Sequence, residues 1–314
     1  MSSAALGEAA ARRRPAVRSR VWFEGRALPW LLLAPAGTII FGLILYPVGR
    51  TFWLSFQEAG LAFLARGEST FVGLDNYADL NTDVPPIHLR RVFLTTAVFG
   101  LACVAATMTV GLAVALLLNQ RFRGRAVLGV LVLLPWAVPR VAAGVVWRWM
   151  FHDQYGLVNW ALPGMDGFSW FNERLTAFFA IGVVVVWQSF PFVALSLLAG
   201  LSSIPPEVRE AARVDGASPF QTLRHVTLPM LKPLLLVLVV VSTIWDFKIF
   251  DQVYVMTEGG PARSTEVAAI TVYREAFGRL HLGTAAAMAM ALFAVLAVMT
   301  LLYTRLARVE ETRT

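Results

Sequence analysis

The 314 residues predict an all-α, polytopic membrane protein with six transmembrane helices and a helix hairpin on the cytoplasmic side. Three observations carry that expectation: an excess of apolar residues, their grouping into six long runs, and an uneven spread of positive charge. Hydrophobic residues make up 57% of the chain and charged residues only 15%, too apolar for a soluble globule of this size. The runs approach or exceed the ~20 residues that cross a ~30 Å hydrocarbon layer. Polar loops between them leave too little amphipathic sequence to coat long buried helices of a soluble protein. The net charge of +7 is unevenly placed. With the amino terminus inside, segments 1–29, 119–125, 202–232 and 305–314 hold 16 of the 27 Lys and Arg against 7 acidic residues. Segments 50–91, 148–175 and 257–281 hold 9 against 11. This asymmetry puts both termini in the cytoplasm and assigns the basic balance to topology, not to a nucleic-acid partner.

In chain order, residues 1–29 form a basic cytoplasmic segment, 30–305 the transmembrane domain and 306–314 a cytoplasmic tail. The cluster Arg12, Arg13 and Arg14 precedes an apolar run too long for a signal h-region and followed by no small-residue cleavage site, so the run is a retained first span. The six spans are 30–49, 92–118, 126–147, 176–201, 233–256 and 285–303. Loop 50–91 is long and outside, with Gly73, Asp75, Asn76, Pro85 and Pro86 as turn signals. Loop 148–175 carries Trp149, Tyr155, Trp160 and Trp170, suited to an interfacial aromatic belt. Loop 257–281 opens with TEGGP, a run that stops a helix and turns the chain. Cys103 stands alone in the second span, which excludes an intrachain disulfide and leaves it as a small packing residue.

Between spans four and five lies a polar, Arg-bearing segment at 205–229, too structured for a mere turn. Pro206 suits the first turn of a helix over 207–214, with Glu207 at the positive end of its dipole. Gly216 is free to adopt a left-handed conformation and end it. Ser218 and Pro219 match an N-cap and first-turn pair for a second short helix through His225, and Pro229 and Pro233 mark the entry to span five. The result is a helix–turn–helix at the cytoplasmic surface, with Ala211 and Ala212 on a face that a partner's groove can approach closely.

This segment resembles the EAA loop of the membrane subunits of binding-protein-dependent ABC importers. The family's EAA, Asp-Gly-Ala and Leu-Pro stand here as Glu210, Ala211 and Ala212, then Asp215, Gly216 and Ala217, then Leu228 and Pro229: eight positions at fixed spacing. The resemblance covers about 30–305 and extends to the sugar-transporter branch, whose outer-loop signatures are similar to FVGLDNY at 71–77, YGLVN at 155–159 and TEGGP at 257–261. The Gly-Gly-Pro after span five resembles the first of two paired permeases, the maltose, trehalose and glycerol-3-phosphate type. The resemblance implies that the loop's helix sits in a cleft of a cytoplasmic ATPase, with Glu210 paired to a basic residue there. It also implies a homologous second permease, an ATPase homodimer holding ATP and Mg, an extracytoplasmic substrate-binding protein, and a place in the plasma membrane lipid. No cofactor or metal is expected on this chain.

A solute pathway needs hydrogen-bonding side chains at depth, because unpaired polar groups there cost several kcal/mol. Span five supplies Ser242 and Asp246, which share a face at i,i+4, about 20 Å from the inner entry. Lys248 and Asp251, at i,i+3, can pair on one helix face or reach outward to water. In span four, Gln188 is a further pathway candidate or a bond to a neighbouring helix; Trp187 can stack on a sugar or pack. Arg140 is expected to face the bundle. In related sugar permeases the positions matching Ser242 and Asp246 contact the sugar, although an amide often stands where Asp246 does. No Gly-Lys dipeptide, HExxH or GxSxG occurs, and the four histidines are scattered, so the chain is read as no enzyme by itself. The competing class is an ion-gradient-driven secondary carrier built on Asp246 and Lys248, but the repeat symmetry of such carriers is not visible.

Overall fold

The computed structural model describes residues 28–80 and 89–311. The basic stretch 1–27, the turn signals Pro85 and Pro86, and the last tail residues lie outside the described residues. Two compact units are present, one up to Arg50 and one from Thr51 onward.

The first holds α1 (Leu28–Ile40), a π-turn (Phe41–Leu45) and the start of α2 (Tyr46–Leu54). Tyr46 N–H bonds to the Phe41 carbonyl, five residues back, just ahead of Pro47. A proline ring clashes with the carbonyl four residues before it, and a widened turn makes room without breaking the helix.

The second unit begins with β1 (Gln57–Glu58) paired antiparallel to β2 (Thr70–Phe71) around α3 (Leu61–Arg66), followed by α4 (Asp75–Asp79). Span two is α5 (Leu89–Leu118). The third apolar run is α6 (Arg125–Ala137) and α7 (Arg140–Met150), followed by α8 (Leu157–Ala161) and span four, α9 (Arg174–Ser203). The hairpin is α10 (Pro206–Val214) and α11 (Pro219–Thr222). Then come α12 (Leu228–Phe247), α13 (Asp251–Thr257), α14 (Ala268–Tyr273) and the last span, α15 (Leu282–Glu311). Among the described residues five helices are long and apolar enough to cross a membrane, and the bent pair α6–α7 brings the number to six.

α5 and α9 pack along much of their length. Gly111 permits this: a Cβ there would lie 2.6 Å from Val193 Cγ1. The core of the unit falls into two clusters. One, around Phe99, Ile181, Val184, Val253 and Ile270, surrounds the first half of α9. The other, around Ala115, Val193, Leu197, Leu201 and Leu231, surrounds its second half.

Four expectations need correction. The third span is no straight helix: α6 and α7 meet at 98°, because Val138 and Pro139 are extended (ψ 130° and 135°) and Pro139 has no N–H to continue the ladder. Span five does not run to residue 256. It ends at Phe247, so Lys248 caps α12 while Asp251 opens α13, and the two do not share a helix face. The hairpin's second helix does not stop at His225. A π-turn over Leu223–Thr227 carries it into α12, giving one helix from Pro219 to Phe247. As before Pro47, this wide turn lies ahead of a proline, Pro229, which therefore continues the helix. Finally, Trp170 is no interfacial residue. It is 7% exposed and donates from Nε1 to Asn159 Oδ1 at 2.6 Å, whereas Trp160 is 81% exposed.

Candidate functional site

The two core clusters of α9 are separated by a polar stretch, and a cavity of about 280 Å³ opens there. Its wall includes Gln188 and Ser189 from α9, Trp245 and Asp246 from α12, and Gln252 from α13, with Trp136, Val138 and Arg140 from the bent third span. The bend explains how one apolar run can supply both an aromatic ring and a guanidinium to the same wall. Arg140 opens α7 immediately after the break, so its side chain reaches the cavity instead of lying along a straight helix.

Asp246 is buried, and its Oδ2 has no hydrogen-bond partner. That oxygen is itself enclosed by protein, while Asp246 as a residue contributes to the cavity wall. Gln188 is occupied: its Nε2 donates to the Val138 carbonyl at 2.8 Å and its Oε1 accepts from Gln252 Nε2 at 2.8 Å. Gln188 thus bonds neighbouring elements, one of the two readings considered for it, and also lies on the cavity wall. Ser242 is buried one turn before Asp246, as the i,i+4 spacing requires, but lies outside the cavity wall. Lys248 is exposed and also outside it. Trp187 packs edge-on against Trp147, with ring centroids 5.5 Å apart. Arg140, expected to face the bundle, lies on the cavity wall while remaining exposed.

Trp136, Trp245, Ile249 and Gln252 were not singled out from sequence. The aromatic rings are indistinguishable there from packing residues. Gln252 becomes visible only once the chain is known to break after Phe247 and restart at Asp251, which turns it back toward Gln188. Among the described residues no three His, Cys, Asp or Glu side chains are gathered as a metal site would require.

The second feature is the hairpin. In α10, Pro206 occupies the first turn and Glu207 the dipole's positive end, as read from sequence. Gly216 has φ +82°, with its N–H on the Arg213 carbonyl and the Ala217 N–H on the Ala212 carbonyl, the paired bonds of a Schellman stop. The residues Asp215, Gly216 and Ala217 therefore build the turn. Ser218 closes a capping box with Gln221: Ser218 N–H donates to Gln221 Oε1 at 2.8 Å, and Gln221 N–H to Ser218 Oγ at 3.3 Å. No residue of α10 is buried; Glu210 and Ala211 are exposed and Ala212 half-buried. Val214 and Phe220 stand 88% and 68% exposed.

Residues 107–309 match the family of inner membrane components of binding-protein-dependent transport systems. The chain is 35% identical over 295 residues to the trehalose/maltose transport system permease protein MalF of Thermococcus litoralis, covering 92% of this chain and 97% of that protein. It is 37% identical to the diacetylchitobiose uptake system permease protein DasB of Streptomyces coelicolor, over 91% of this chain and 88% of that one. Its fold matches a chain from the crystal structure of a bacterial ABC transporter involved in alginate import, with a TM-score of 0.76 at 20% identity, over 92% of this chain and 96% of that chain. The multi-span bundle, the hairpin and these similarities agree: the chain belongs to the family of binding-protein-dependent transport system inner membrane components.

Proposed function

We propose that this permease forms half of the translocation pathway for a sugar or related polyol in an ATP-driven importer, as the first of two paired permeases. The observation that carries the reading is the cavity between two apolar core clusters, with the buried carboxylate of Asp246 and the guanidinium of Arg140 both on its wall. Hydroxyl groups of a sugar donate to such a carboxylate and accept from Arg140, while Trp136 and Trp245 offer ring faces to its C–H surface. Sugar-named relatives at 35% and 37% identity support the solute class. Gln188 contributes to the wall through the residues it holds. Ser242 and Lys248 are assigned supporting positions, below the cavity and at the end of α12.

The hairpin is the coupling element. Glu210, Ala211 and Ala212 meet a groove of a cytoplasmic ATPase, while Asp215, Gly216 and Ala217 fix the turn that presents them. ATP and Mg reside on that homodimeric partner, and this chain carries no catalysis of its own. Because α11, the π-turn and α12 are one continuous helix, displacement of the hairpin is transmitted along it to Asp246. An extracytoplasmic binding protein delivers solute at the opposite end, and both termini of this chain lie in the cytoplasm.

The test is uptake by the reconstituted importer. Asp246→Ala removes the acceptor and lowers uptake at least tenfold with ATPase association intact. Glu210→Ala abolishes association and uptake together, with membrane insertion unchanged. Continued transport by the Glu210 variant would instead identify a carrier driven by an ion gradient.

A further inference from the structure

Gln252 lies outside the family loop and outside the residues assigned to solute above, yet it is 5% exposed and bonded to Gln188, which in turn bonds the Val138 carbonyl of the bend. We propose that Gln252 is a positioning residue of the pathway: through Gln188 it holds the bend of the third span, and with it the Arg140 wall of the cavity. The proposal rests on the pathway reading of that cavity.

Three separate elements meet in one file of two hydrogen bonds. Gln252 on α13 donates to Gln188 on α9, and Gln188 donates to the carbonyl of Val138 in the break between α6 and α7, each at 2.8 Å. The break needs such a partner. Val138 and Pro139 are both extended, the first backbone bond of α7 runs from Ala143 N–H to the Pro139 carbonyl at 2.9 Å, and the Val138 carbonyl takes the Gln188 amide instead. Were Gln252 removed, Gln188 Oε1 would be left buried beside Val185 and Ile249 without its donor, a costly state that a rotation of the amide relieves. That rotation releases Val138. Arg140 follows two residues later, so any change of backbone angle at Val138 or Pro139 moves its guanidinium relative to Asp246.

α7 and α13 also grip each other directly. A Cβ on Gly144 would lie 3.1 Å from Val255 Cβ, and Arg148 Nη1 donates to the Val255 carbonyl at 3.0 Å. Both helices follow breaks in longer apolar runs, so they form a paired block, and the amide file is its polar attachment to α9 beside the apolar contacts of Trp147 and Val253.

The experiment uses the whole importer in lipid nanodiscs and liposomes, with Gln252→Met, Gln188→Met and the double variant, since methionine keeps the length and loses the amide. Hydrogen exchange at residues 143–147 reports the bend, and uptake of trehalose, as probe, reports the pathway. Each single variant is expected to speed exchange at 143–147 about tenfold, and the double variant no more than the larger single, because both residues act through one file. Maximal uptake falls while KM stays within about twofold, and the amount of assembled complex is unchanged. A purely packing role would alter assembly and leave the rate per complex alone. Unchanged exchange in Gln252→Met overturns the proposal, as does a multiplied effect in the double variant; should the wild type not carry trehalose, the exchange arm decides by itself. Asp246→Ala separates the two readings. If it leaves uptake intact, the pathway assignment fails whatever the exchange shows; if it impairs uptake while Gln252→Met changes nothing at 143–147, only the positioning role fails.

Discussion

The hairpin between α9 and α12 and the loop between α13 and α15 cap opposite ends of the same helices, and they are built in opposite ways. The hairpin buries no residue of α10 and leaves Val214 and Phe220 bare; its shape comes from backbone caps at Gly216 and Ser218. The far loop buries charge. Glu266, 3% exposed, accepts from Arg263 through Nε at 2.5 Å and Nη2 at 2.9 Å and from Thr271 at 3.1 Å, while Arg274 approaches it at 3.5 Å. The hydrogen bond from Arg263 holds that guanidinium's pKa above its ordinary value. Glu275, fully buried, accepts from Arg279 at 2.6 Å and lies 3.4 Å from His281 Nδ1. Beside it, Leu282 and Gly283 N–H bond to the Ala59 carbonyl, and Asn76 Nδ2 bonds to the Ser55 and Gln57 carbonyls. One end pairs most of its buried polar groups internally, with Ser264 Oγ and Glu275 Oε2 left without a hydrogen bond. The other holds a fixed backbone shape with its side chains left for another surface, which is what a docking element requires.

The comparison predicts that substitutions at the hairpin alter coupling without stability, and that substitutions at the far loop alter stability first. Glu210→Ala is the largest test: uptake falls at least a hundredfold, about 2.7 kcal/mol in rate terms, while the thermal midpoint of the isolated subunit in detergent stays within a degree or two. A lowered midpoint would mean that the hairpin is a packed part of the fold after all.

Gly283→Ala comes next, at the far end. A Cβ there would meet the Gln57 carbonyl oxygen at 2.0 Å, and a backbone atom held in β1 cannot swing aside. Overpacking of this kind costs about 2.5 kcal/mol, read as a lowered midpoint and loss of exchange protection around Ala59. Gly216 contrasts with it, having open space where a Cβ would go but a positive φ. The hairpin keeps its glycine for conformation and the far loop keeps its glycine for room.

Glu266→Ala follows, with a loss of about 2 kcal/mol. Removing one partner of a buried pair costs 3–5 kcal/mol in a dry site, but Arg263 and Arg274 are each about a third exposed and take up water in part. The midpoint should fall in detergent at low and high salt alike. A loss that vanished at high salt would mark the cluster as a surface network.

Much of this was legible in the sequence. Long apolar runs found the spans, and Pro206, Gly216 and Ser218 located the hairpin's ends, since these signals act within a turn or two of themselves. Prolines were harder to read. Pro191 and Pro233 remain inside helices, Pro229 is accommodated by a π-turn, and Pro139 breaks its span by 98°. Local chemistry is the same in all four; what differs is whether a neighbour such as Gln188 stands ready to satisfy the carbonyl that a break exposes. The cavity shows the same limit. Asp246 and Gln188 stood out as polar residues in apolar runs, but Gln252 faces them only because α12 stops at Phe247, a boundary set by packing across helices.

Ser218→Ala is the smallest expected effect and the most local test of the contrast. Its capping box fixes the start of the helix that runs from Pro219 to Phe247. Loss of the hydroxyl removes one of two reciprocal bonds, at about 1 kcal/mol. That cost falls on the first turn, since Pro219 still presets its backbone and the following turns are held by their own ladder. The global midpoint should therefore not move, while exchange quickens at 219–222. Coupling should weaken a few-fold, because a frayed first turn transmits less of the hairpin's displacement to α12. Ser218→Asp restores an acceptor at the same place and should recover both. If Ser218→Ala changed exchange without changing uptake, the continuous helix would be a structural stem, and motion would have to reach Asp246 through α9 instead.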